Sequence, residues 1–179
     1  MTKKMGSSSP VTRLGDKFSL APSLSSGDES GADRRGRLLL ALLALVAASF
    51  FTGAAMLVSV AEQPARLALD DEPMLTEWRR SYDRAAPMQG SLALLTGLAG
   101  LLDRWLHGSE WSLIGGLLIL ACWPFVLIVV MPVNRRLKAL RLDEIAQARP
   151  LVLKWGRYHA VRTALGLAAI LAFAMNFRH

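Results

Sequence analysis

Residues 154–173 read KWGRYHAVRTALGLAAILAF, and the depth at which Arg162 must sit decides the fold. A bilayer core of about 30 Å takes about 20 helical residues at about 1.5 Å each. From Thr163 to Phe177 the chain supplies only about 22 Å by that rise. A spanning helix therefore has to reach back past Arg162, at a cost of about 1 to 3 kcal/mol if the cation snorkels or is paired. Trp155, His159 and Arg162 stand at i, i+4 and i+7 and share one helix face. Three groups able to stack, ionise or hydrogen-bond thus enter the membrane pointing one way.

The rest of the chain supplies companions for this helix. Its 179 residues are 53% hydrophobic, and the apolar residues come in four blocks, at about 38–60, 88–106, 111–131 and 159–177. The second is the weakest, since it needs Asp103 and Arg104 to reach spanning length. The reading is an all-α chain, a four-helix transmembrane bundle with a disordered N-terminal tail (1–36) ahead of one membrane domain (37–179). Ser, Gly and Pro dominate the tail, which holds too little apolar surface to offset the entropy of ordering it. The run behind it is too long for a secretory signal and lacks a cleavage site, so it reads as a retained span. Pro124 is expected to kink the third span and open room in the bundle. The glycines of TGLAGLL and IGGLL, with Gly166, are expected to let helices approach closely.

A formal charge of +7 raises the question of nucleic acid. However, Lys and Arg gather at helix ends and in the tail, without interleaved aromatics or a recognition motif. Membrane flanking accounts for them. The single cysteine, Cys122, excludes an intrachain disulfide and a cysteine metal site. Phosphate loops, dinucleotide fingerprints, HExxH and nucleophile elbows are missing, and no cofactor or metal is expected. The location expected is a bilayer, as a multi-pass protein of a bacterial inner membrane. The charge bias is divided. Arg135, Arg136, Lys138, Arg141, Arg149, Lys154 and Arg157 favour a cytoplasmic side for the long connections, whereas Arg34, Arg35 and Arg37 favour it for the tail.

Chain direction places Glu62 and Gln63, Gln89, Asn134, and His159 with Arg162 at one membrane end. His159, Arg162, Glu62 and Asn134 are the candidate catalytic residues, and Trp155, Gln63 and Gln89 the candidates for binding substrate. His159 can act as acid or base near neutral pH. A carboxylate closing the first span opposes the helix dipole and calls for a cation, Arg66 or Arg162. Plainer readings stand beside these: a solvated Glu62 or His159, Asn134 capping carbonyls after Pro132, and Trp155 with Tyr158 in an interfacial aromatic belt. Connections are expected over about 61–87, with a short interfacial helix in TEWRRSYDRAA, and over 132–158.

VSVAEQPARL (58–67), Trp78, VMPVNRRL (130–137) and LKWGRYHAVRTALGL (153–167) together resemble the anthrone-oxygenase-like family of small four-span membrane proteins. The resemblance covers about residues 38–177. It implies a four-helix membrane bundle and, for some members, oxidation of an anthrone to an anthraquinone by dioxygen without an evident metal or flavin. The implied partners are a small lipophilic molecule and dioxygen. Other functions compatible with the same residues are a non-catalytic protein that binds or passes a lipophilic solute, and an assembly subunit docked through its polar end.

Overall fold

The computed structural model describes residues 26–178, and the described chain is helical throughout, without strands. Four helices are long and apolar enough to cross a membrane: α1 (Asp33–Leu67), α2 (Asp71–His107), α3 (Glu110–Ala139) and α4 (Leu142–Arg178). The bulk of the expected tail lies outside the described residues, but helix begins at Ser26, ahead of the expected span. The described residues up to Arg34 belong to one compact unit, and the bundle, from Arg35 onward, to another.

The expected long connections turn out to be helix. Only residues 68–70 separate α1 from α2, and residues 140–141 separate α3 from α4. Local sequence explains the difference. Asp71 and Glu72 occupy the first turn of α2, where carboxylates complement the helix dipole. Met74, Trp78 and Tyr82 then recur every fourth residue, so the charged TEWRRSYDRAA stretch hides an apolar helix face. That face buries Met74, Leu75 and Trp78 against Val133, Leu137, Val152 and Trp155. At about 1.5 Å per residue, the 37 residues of α2 extend about 55 Å, well beyond a core of about 30 Å. The bundle therefore continues past the hydrocarbon as a helical cap.

At the other end α2 and α3 meet through HGSE. Gly108 takes φ +72°, its N–H donates to the Arg104 carbonyl at 2.9 Å, and Ser109 caps α3 by accepting from the Ser112 N–H. These are the usual C′ glycine and N-cap serine. The two helices stay close here: a Cβ on Gly100 would stand 2.7 Å from the Ser112 carbonyl and 2.9 Å from the Gly116 Cα. Asn176, at the end of α4, bonds to Ser109 and Ser112. Gly36, at the start of α1, lies beside His107.

Two helices carry π-turns, Val58–Glu62 in α1 and Val126–Val130 in α3. Each ends two residues before a proline, Pro64 and Pro132. The Gln63 N–H reaches the Val58 carbonyl, and the Met131 N–H that of Val126. Proline cannot donate to the carbonyl four residues back, and the wider turn absorbs the mismatch with one extra residue. The break expected at Pro124 is a turn at Ala121 followed by this π-turn.

Candidate functional site

Where α2 and α3 diverge, a cavity of about 180 Å³ opens in the bundle. α2 lines it with Tyr82, Ala86, Gly90 and Ala93, α3 with residues from Cys122 to Asn134, and α4 with Trp155, His159 and Arg162. The small residues of α2 follow helical spacing, so one face of that helix leaves space where its neighbours would fill it. The glycine contacts hold the helices together at one end, and the larger α3 side chains Trp123, Leu127 and Met131 keep them apart at the other.

Its wall is mostly apolar. Among the described residues, Asn134 Oδ1, His159 Nε2 and Arg162 Nε of the lining are buried without a hydrogen-bond partner. An unsatisfied buried polar group costs about 1 to 3 kcal/mol, so three around one void make it the candidate site. Their neighbours orient them. Trp155 stacks on His159 with centroids 4.9 Å apart and meets Trp78 edge-on at 5.8 Å; Trp78 in turn stacks on Tyr82 at 5.0 Å. Asn134 Nδ2 donates to the Tyr82 hydroxyl at 3.0 Å, which turns Oδ1 toward the cavity. The Arg162 guanidinium lies 5.6 Å from the Phe51 ring centroid.

Of the seven residues singled out in the sequence, Asn134, Trp155, His159 and Arg162 line this cavity. Asn134 sits inside α3 rather than capping it, and both Trp155 and His159 are buried rather than at a wet edge. The remaining three, Glu62, Gln63 and Gln89, do not line it. Glu62 lies 3.5 Å from Arg66, and no ion pair joins it to Arg162 among the described residues. Gln63 Nε2 donates to the Val152 carbonyl at 3.0 Å, and its Oε1 accepts from Arg66 at 2.9 Å, tying α1 to α4. Gln89 is buried on α2 beside the lining face.

Tyr82, Gly90, Cys122 and Trp123 are lining residues that sequence reasoning did not select. The spacing Tyr82–Ala86–Gly90–Ala93 would have shown α2's contribution, had the short helix expected over 76–86 been read as continuous with the second span. Arg66, one of the two cations expected for Glu62, does meet it, but the burial of its guanidinium was not read from the sequence. It meets both oxygens of Glu77, and also Ser81 at 2.9 Å, while its charge lies 5.6 Å from the Trp155 ring. Arg66 thus braces the back of the Trp155–His159 stack. Among the described residues no group of His, Cys, Asp or Glu is arranged to hold a metal.

A family model described as anthrone oxygenase matches residues 78–172. An anthrone oxygenase of Claviceps purpurea (strain 20.1) is 30% identical over 148 residues, which cover 74% of this chain and 85% of that protein. Anthrone oxygenase tpcL of Aspergillus fumigatus is 30% identical over 146 residues, covering 72% and 91%. No solved structure matches the chain.

Proposed function

The chain belongs to the anthrone oxygenase family, and on that premise we propose that its cavity is the site of a cofactor-independent oxygenation of a lipophilic aromatic or quinone-like molecule. The observation that carries the reading is the trio of atoms unpartnered among the described residues, His159 Nε2, Arg162 Nε and Asn134 Oδ1, in a mostly apolar void. A flat ring system fits the apolar wall, with the polar groups left to meet its methylene carbon and its carbonyl oxygen.

For an anthrone, His159 Nε2 takes a proton from the methylene carbon of the middle ring. Negative charge moves to the carbonyl oxygen across the ring, where the Arg162 guanidinium stabilises it. Dioxygen, itself concentrated in hydrocarbon, adds to the carbon and takes up the proton to give a hydroperoxide. Loss of the second hydrogen from that carbon, with cleavage of the O–O bond, leaves the new carbonyl and releases water. One dioxygen is consumed per ring system, and the substrate supplies all the reducing electrons. The relatives are fungal, so a bacterial inner membrane rests on the sequence reading alone. Fractionation of the source cells tests it.

The purified protein in nanodiscs, given anthrone in air, should take up oxygen and form anthraquinone in equal amounts, with or without a chelator. His159→Ala should lower the rate about 100-fold or more while leaving the melting temperature near that of the wild type. Saturable anthrone binding without oxygen uptake would instead identify a carrier.

A further inference from the structure

Buried packing closes several directions out of the cavity. Toward the helical cap stand Trp78 and Leu137, both fully buried, and Arg79 fastens this region by donating to the Leu137 and Leu140 carbonyls at 3.0 and 2.6 Å. Toward the short turn, α2 and α3 touch through Gly97, Gly100 and Gly116. The α4 wall is made by buried Trp155 and His159. The α2–α3 face differs. Trp123 and Leu127 line the cavity and yet are 41% and 54% exposed on the outside of the bundle, opposite half-buried Ala86 and Gly90. Trp123 follows Glu110 by 13 residues, counted in the sequence, or about 20 Å along the helix, inside a core of about 30 Å. Whatever passes there comes from lipid.

We propose that the cavity is loaded sideways from the bilayer through a portal between α2 and α3 framed by Gly90 and Trp123, an inference that rests on the lipophilic-substrate reading above. A Cβ built on Gly90 would stand 4.0 Å from Trp123 Cζ2, ordinary contact distance, so a longer side chain at this position fills the gap without displacing backbone. His159 Nε2 and Asn134 Oδ1, unpartnered among the described residues, belong to lining residues that are themselves buried. A planar molecule entering between Gly90 and Trp123 therefore brings its leading edge to them and leaves its trailing ring among apolar side chains. Gly90 sets the width of what enters, and Trp123 is the movable side of the frame.

The native Cys122, the only cysteine in the sequence, is buried in the cavity wall and reports on access without any turnover. Its modification would be followed by intact mass in nanodiscs with two probes, lipophilic N-phenylmaleimide and a permanently charged methanethiosulfonate. The portal requires the lipophilic probe to react and the charged one to lag far behind. Gly90→Leu should slow the lipophilic reaction about tenfold, and Trp123→Ala should speed it. Equal rates for the two probes, a Gly90→Leu rate equal to wild type, or no modification by either probe would each overturn the portal. Because no catalytic step is read, a failure here is distinct from a failure of the oxygenase reading, which the anthrone assay decides.

Discussion

The Arg162 guanidinium lies 5.6 Å from the Phe51 ring centroid, and among the described residues no carboxylate forms an ion pair with it. Its place on one face with Trp155 and His159 was legible from their spacing; its surroundings were not. Glu62 looked available, but an i, i+4 partner on the same helix needs no tertiary closure, and Arg66 takes that place. A double-mutant cycle between Glu62→Gln and Arg162→Lys should therefore be additive to within about 0.5 kcal/mol in detergent unfolding experiments. Coupling well above that would restore the pair. Arg162→Ala should abolish anthrone turnover while Arg157→Ala, exposed at the outer surface, leaves it intact. Equal activity in both variants would remove the guanidinium from the chemistry. Asn134 and Trp155 were named as site candidates, but capping and belt readings stood beside them because such positions are set by where a helix ends, and these helices continue past the expected ends.

The helices owe their useful irregularity to prolines. A proline in the sequence announces a disturbed turn, but not that the turn widens to i+5 and rotates everything after it. In α3 this rotation helps bring Asn134 onto the same side as Cys122 and Val126. Replacing Pro132 by Ala should restore ordinary helix, which gains up to about 3 kcal/mol of intrinsic propensity, and should swing Asn134 off the cavity. The expected result is unchanged or higher thermal stability together with lost oxygen uptake. Retained activity would mean that the π-turn does not set the register. The glycines were legible as packing residues, and the contacts grade them. Gly100→Ala forces a Cβ against backbone atoms of α3 and should lower the melting temperature, whereas Gly53→Ala meets nothing within 4 Å and should leave it unchanged or raise it. Circular-dichroism melts of the two variants check this, and equal shifts would contradict the close approach of α2 and α3.

Over the whole molecule, four-span topology was the most legible feature, because runs of apolar residues about 20 long have few other uses. The cap beyond the hydrocarbon was obscured because its apolar face is threaded through arginines and carboxylates and reads as connection when averaged. Gly36, the α2–α3 turn and Asn176 gather at one end of the bundle. Single cysteines at positions 37 and 178, in a Cys122→Ala background, should therefore react with an impermeant reagent from the same side of sealed vesicles. Labelling from opposite sides would break the four-span arrangement. The wedge formed by α2 and α3 has a further consequence, for how such a scaffold diversifies. The glycine contacts that hold the helices together and the positions that bound the void, 86, 90, 93, 123 and 127, belong to different turns. A lineage could exchange the latter for larger or smaller side chains, admitting new ring systems one substitution at a time, while the seam that keeps the protein folded goes untouched.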